Sequence, residues 1–262
     1  MERRIARSFE DFMPNAKEVI VRVKRQVSPK GTPYWEEFAL PWRPAMNVII
    51  CLRDIAETPV TRDSKKTTPI SYDSNCLEEV CGSCAMLING RARMACSALV
   101  DKLEQPIRLE PFSKFPVVRD LAVDRQFMFD SLKRVKSWIP IDGTYDLGEG
   151  PRMAPETQEK AYPLSRCISC GSCLEVCPQV NDNNKFIGAA IISQVRLFNM
   201  HPTGAMHAKE RIAALMEPGG IQDCANAQNC VKACPKDIPL TESLAEMNRQ
   251  AWKQALLGWL IG

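Results

Sequence analysis

The chain has 262 residues, 45% hydrophobic and 25% charged, a length for one large or two modest domains and a composition that excludes disordered, collagen-like and coiled-coil chains. Thirty-four Lys and Arg against 31 Asp and Glu leave a net charge of +3, too slight for a nucleic-acid footprint, so no nucleic acid is expected as a partner. Twelve Cys stand against two His, and the chemistry is sought in the cysteines.

Residues 1–14 carry Arg3, Arg4 and Arg7 without an apolar run or a small-residue cleavage site, so they do not read as a secretory signal. No apolar run reaches the roughly 18–20 residues that span a bilayer. The expectation is a chain kept in a reducing cytoplasm, where clustered cysteines serve as metal ligands or redox groups rather than disulfides.

Alternation over 18–23 (EVIVRV) predicts a strand, and 35–40 predicts its hairpin partner across a loop with Pro29, Gly31 and Pro33. Val48, Cys51, Leu52 and Ile55 fall at helical spacing over 47–57, with Asn47 as N-cap and Pro59 beyond the end. After a polar stretch come a short apolar segment at 85–88, an Asn89-Gly90 turn, a return segment over 91–96 and a strand over 107–110. From about Arg125 the pattern turns helical, beginning with Phe127, Met128, Leu132 and Val135 in a helix ended by Pro140. A Gly/Pro-rich connector (142–155) leads to helices expected around 189–198, 209–216 and 241–257. The division expected is an α+β domain over 1–124 and an all-α domain over 125–262.

The cysteines fall into three groups. Cys76, Cys81 and Cys84, with Cys96 after eleven more residues, have the plant-type [2Fe-2S] spacing, three thiolates on one loop and a fourth on the returning strand. Gly82 and Ser83 suit such a loop, because small residues let backbone N–H groups turn toward sulfur. Cys167, Cys170, Cys173 and Cys177-Pro178 form the ferredoxin run whose fourth Cys serves the other cluster. Four-Cys zinc sites are the alternative for both groups. The third group, Cys224, Cys230 and Cys234-Pro235, fits the same run with Ala227 in place of its second cysteine. If Cys234 completes the set Cys167, Cys170 and Cys173, that cluster is a [4Fe-4S] cube, and Cys177, Cys224 and Cys230 are left to hold a [3Fe-4S] cluster. A [4Fe-4S] cluster with an oxygen ligand at the Ala227 corner is the rival. Cys51 is left over as a core hydrophobe.

His201 and His207 lie in a segment read as a surface loop, a metal or haem role being the alternative. Lys24-Arg25, Lys65-Lys66 and Arg91/Arg93 read as solvated basic patches. Trp252, Leu256, Leu257, Trp259, Leu260 and Ile261 make an apolar C-terminus, either packed on the domain or resting on a membrane-embedded partner. No nucleophile elbow, GxGxxG or Walker loop is present, so the chain reads as a one-electron relay with its substrate site elsewhere.

A plant-type [2Fe-2S] domain followed by CISCGSCLEVCP and CANAQNCVKACP, together with FPVVRDLAVD, KFIGAA and PLTESLAEMNR, resembles the iron–sulfur subunit of succinate dehydrogenase/fumarate reductase (respiratory complex II) from about Lys17 onward. The resemblance implies a β-grasp N-terminal domain and an α-helical ferredoxin C-terminal domain. It also implies [2Fe-2S] on Cys76, Cys81, Cys84 and Cys96, [4Fe-4S] on Cys167, Cys170, Cys173 and Cys234, and [3Fe-4S] on Cys177, Cys224 and Cys230. The partners implied are an FAD-bearing flavoprotein and a membrane anchor with haem b serving a quinone, at the cytoplasmic face of the bacterial inner membrane. Ubiquinone-reducing members carry a Trp shortly after the Cys-Pro of the second group, a His after the first Cys of the third and an Ile in the missing-ligand slot. Here 179–184 has no Trp, Ala225 and Ala227 fill the other two places, and only Pro178 is kept as a quinone-proximal residue. The resemblance is therefore to the di-haem, menaquinone-linked branch. Another flavoprotein-linked dehydrogenase subunit, such as a heterodisulfide-reductase-like or anaerobic glycerol-3-phosphate dehydrogenase component, and a zinc-binding interaction module are the alternatives.

Overall fold

The computed structural model describes residues 18–140 and 151–261, with side chains as far as Leu257; the expectations for 1–14, for most of the 142–155 connector and for the side chains of Trp259, Leu260 and Ile261 lie outside the described residues.

The N-terminal half is built on a mixed sheet. Strand β1 (Glu18–Arg25) pairs antiparallel with β2 (Tyr34–Pro41) and parallel with β5 (Ile107–Glu110). The hairpin of β3 (Ala85–Ile88) and β4 (Arg91–Met94) completes the order β2-β1-β5-β3-β4. Asn89 (φ 50) and Gly90 (φ 74) make the left-handed two-residue turn between them. Helix α1 (Val48–Glu57) covers the sheet, starting where the Asn47 side chain accepts from Ile50 N and burying Ile49, Cys51, Leu52 and Ile55. Each such aliphatic side chain contributes roughly 1.5–3 kcal/mol when removed from water. A sheet with a parallel central pair and one packed helix is the β-grasp arrangement expected.

Alternation in β1 points Val19, Val21 and Val23 inward, and the next inward position is Arg25. This corrects the reading of Lys24-Arg25 as a surface patch: Arg25 is fully buried, donating to Asp120 Oδ1 (2.9 Å), to Thr68 Oγ1 (3.1 Å) and to Glu36. Lys24 stays at the surface against Glu110.

A small hairpin, β6 (Val117–Arg119) and β7 (Ala122–Val123), leads into α2 (Gln126–Arg134). This helix ends well before Pro140, because Arg211 claims the following strap, donating from Nε to Lys136 O (2.8 Å) and from Nη2 to Trp138 O (2.7 Å). Helix α3 (Pro155–Ser165), which the hydrophobic pattern does not announce, has Pro155 in its first turn and buries Ala161 and Leu164. There follow α4 (Ser172–Glu175), the short hairpin β8 (Val180–Asn181) and β9 (Asn184–Lys185), and α5 (Ala189–Met200), whose buried Ala190, Ile191, Ile192 and Val195 make it the axis of the helical half. Around it pack α7 (Ala208–Met216), which follows the short α6 (Pro202–Ala205), and the long α9 (Leu240–Ile261), which follows α8 (Asn229–Ala233). The segment read as a loop around His201 thus contains α6, capped by His201 Nδ1 accepting from Gly204 N (3.4 Å).

The two halves share one continuous hydrophobic core. Glu175 of α4 reaches across, accepting from Ser113 N (3.0 Å), Ser113 Oγ (2.7 Å) and Lys114 N (3.0 Å).

Candidate metal centres

All twelve cysteines are free thiols. Eleven of them gather in three places, each on a loop that uses left-handed backbone.

The first place is the loop 76–84. Leu77 (φ 63), Glu79 (φ 57) and Gly82 (φ 73) are left-handed, conformations that non-glycine residues adopt only when the surroundings impose them. The result is that N–H groups turn inward: Glu78 N (3.4 Å), Val80 N (3.3 Å) and Cys81 N (3.3 Å) all donate to Cys76 Sγ. Strands β3 and β4 bring Cys84 and Cys96 together, through Ala85 opposite Met94 and Ala95 N donating to Cys84 O (3.1 Å). The Ser83 hydroxyl, with further backbone donors, lowers the Cys81 thiol to about 6, whereas burial, reinforced by the Cys84 thiol, pushes Cys96 up to about 11. Inward N–H dipoles around Cys76 and an acidic Cys81 fit an anionic iron–sulfide core rather than a disulfide.

The second place is a small cavity lined by Cys167, Cys170, Cys173 and Cys234. Ser169 (φ 50) and Gly171 (φ 84) flank Cys170. Ser172, itself fully buried, holds its hydroxyl 3.4 Å from Cys170 Sγ. Burial, followed by the neighbouring thiols, raises the pKa of Cys173 well above that of an ordinary thiol and raises Cys167 in the same direction. The thiols of Cys167 and Cys173 are thereby held in the protonated form without a metal, and a cation that replaces their protons fits the donor set.

The third place is a small cavity lined by Cys177, Cys224 and Cys230, with Pro178, Ala225 and Ala227 on its wall. Asn226 (φ 54) and Gln228 (φ 60) are left-handed on either side of Ala227. The two cavities are built by exchange. The segment 173–177 places Cys173 in one and Cys177 in the other, and the segment 230–234, from α8 to its C-cap, places Cys230 and Cys234 in the reverse order. Asn229 Nδ2 donates to Val176 O (3.2 Å) and ties the two segments.

Among the described residues no three His, Cys, Asp or Glu close on a point that one metal ion would fill; the thiols stand around cavities instead. Cys51 is fully buried under α1, and burial pushes its thiol up to about 12, the inert core residue expected. His207 sits 3.6 Å from Glu210 at the surface. Trp252, Leu256 and Leu257 of α9 are exposed, and no helix among the described residues is long and apolar enough to cross a membrane. Sequence reasoning missed Glu175, Ser172 and Arg125, which act through partners on distant segments or through burial that no local pattern announces.

Residues 20–130 match the family described as a 2Fe-2S iron–sulfur cluster binding domain, and residues 163–238 match a 4Fe-4S dicluster domain. The chain is 58% identical over 243 residues to the succinate dehydrogenase iron–sulfur subunit of Bacillus subtilis, covering 93% of this chain and 96% of that one. It is 30% identical over 221 residues to the fumarate reductase iron–sulfur subunit of Wolinella succinogenes, covering 83% and 90%. Among solved structures, a chain of the Mycobacterium smegmatis Sdh1 complex in the apo form superposes with a TM-score of 0.77 at 25% identity, over 92% of this chain and 98% of that one.

Proposed function

The chain belongs to the iron–sulfur subunits of succinate dehydrogenase and fumarate reductase, and from that premise we propose how its residues wire the electron path. It is the electron-transfer subunit of such an oxidoreductase complex. Cys76, Cys81, Cys84 and Cys96 hold [2Fe-2S]; Cys167, Cys170, Cys173 and Cys234 hold [4Fe-4S]; Cys177, Cys224 and Cys230 hold [3Fe-4S]. Residues 1–124 form the domain of the first cluster and 125–262 the domain of the other two. The observation that carries this reading is the exchange between the segments 173–177 and 230–234, which supplies four thiols to one cavity and three to the other.

When bound, the clusters supply one-electron carriers that change oxidation state without making or breaking substrate bonds. The protein's part is placement and charge. Backbone N–H groups of 78, 80 and 81 offset the negative charge of the first site. Gly82 lets that loop lie directly on the loop of Cys170. Ala227 presents a methyl group where a fourth thiol would stand.

Electrons run between the FAD of a flavoprotein subunit and a membrane anchor carrying haem b, with menaquinone as the quinone. The subunit is held peripherally at the cytoplasmic face of the membrane by these partners. The anchor assignment is supported by exposed Trp252, Leu256 and Leu257 on α9. The menaquinone reading is supported by Ala225, Ala227 and a Trp-free 179–184 segment around the third cavity, where Pro178 lies beside Cys177. The test is Cys230→Ser in the intact complex. The reading requires loss of the [3Fe-4S] signal and of quinone-linked turnover, while succinate still reduces an artificial acceptor at the flavin. Normal quinone turnover with haem in place and the cluster gone would overturn it.

A further inference from the structure

Arg125 lies where the two halves of the chain meet, immediately before α2, with its guanidinium turned onto the first cysteine loop. Nη1 donates to Gly82 O (3.0 Å), and Nη2 donates to Ser83 O (2.9 Å) and Ala85 O (3.4 Å). Its Nε–H is buried and has no acceptor among the described residues. Gly82, whose carbonyl Arg125 holds, packs directly on the backbone of Ile168 and Cys170, so the side chain stands at the contact of the first and second cysteine groups; burial pulls its pKa down, while Asp73 and the sulfurs of Cys170, Cys84 and Cys81 pull it back up. A guanidinium keeps its proton even when buried.

We propose that Arg125 is a positioning residue that sets the potentials of the first two clusters, a half-buried cation held against the Cys81–Cys84 loop where that loop packs on Cys170. The inference rests on the ligand sets given above. A cluster that gains one electron becomes one charge more negative with no bond formed or broken, so a fixed nearby cation in a poorly solvated place favours its reduced form. The carbonyls that Arg125 holds line no part of the third site, which is expected to keep its potential. The same side chain holds the three carbonyls of 82–85 in place, so charge and loop geometry are tied to one residue.

The experiment is an EPR-monitored redox titration of the intact complex carrying Arg125→Met or Arg125→Lys. In wild type the signals of all three clusters must be present; their absence would refute the ligand sets rather than the role of Arg125. Arg125→Met is expected to lower the reduction equilibrium of [2Fe-2S] about tenfold, close to 59 mV for one electron, to move [4Fe-4S] in the same direction by less, and to leave [3Fe-4S] where it was. Arg125→Lys, which keeps the charge, is expected within about threefold of wild type. Unmoved potentials in Arg125→Met at full iron content would overturn the proposal, as would an equal fall in both variants. Should Arg125→Met lose its first cluster, Arg125→Lys decides alone: within threefold supports the proposal, and a tenfold fall contradicts it.

Discussion

Gly82 and Cys170 are packed so closely that a β-carbon on Gly82 would stand 2.9 Å from Cys170 Cα and 2.5 Å from the carbonyl oxygen of Ile168 in the same loop. Two loops from different halves of the chain, each carrying three cysteines, thus meet backbone to backbone. Glycine is required twice over at this point, for the contact and for its φ of +73.

Gly82→Val is therefore expected to cost roughly 2–4 kcal/mol, combining left-handed strain with overpacking. Because the clash falls on the seam between the halves, the complex should also bind less iron. Thermal unfolding and iron content of the purified complex check this; an unchanged midpoint with full iron would contradict it.

Glu175 fastens the same seam from the helical side. Glu175→Ala leaves Ser113 N and Lys114 N without their acceptor in a half-buried place, a loss of about 1–3 kcal/mol. The signature is faster proteolysis between the halves, with α1 and the main sheet retaining their protection in hydrogen exchange.

Ala227→Cys supplies the thiol absent from the third group. The expected outcome is one more iron per chain and disappearance of the oxidised-state [3Fe-4S] EPR signal, as a fourth corner is filled. Persistence of that signal at full iron content would mean that the 227 side chain does not face the cluster.

Arg25→Leu removes a buried cation from Asp120 and Glu36, whose carboxylates then remain beneath the sheet. Breaking such a pair costs about 3–5 kcal/mol, and denaturant unfolding of the complex should show it. Lys24→Ala, next along the strand but at the surface, should cost less than about 1 kcal/mol.

Much of this architecture was readable from residues close together in sequence. The spacing of Cys76, Cys81 and Cys84, the Asn47 cap and the Asn89-Gly90 turn are local signals, and each appears where expected. The Ala227 gap is likewise read from its neighbours in the template, and Ala227 lines the third cavity beside Cys177, Cys224 and Cys230. What was hidden depends on distance in the chain. Arg25 reads as one of a basic pair until Asp120, 95 residues away, is brought under it. Helix α3 buries only Ala161 and Leu164 and carries Pro163 within it, so it lacks the apolar stripe by which helices are found. The early end of α2 is dictated by Arg211, and the place of Arg125 emerges only once the two cysteine loops touch.

The central claim is that the chain carries three clusters divided as its thiols are divided. Iron and zinc content with EPR of the purified complex, first air-oxidised and then dithionite-reduced, tests it most directly. The account predicts about nine irons per chain, a [3Fe-4S] signal in the oxidised sample and a [2Fe-2S] signal in the reduced one. Zinc in place of iron, or an oxidised sample without signal, would contradict it.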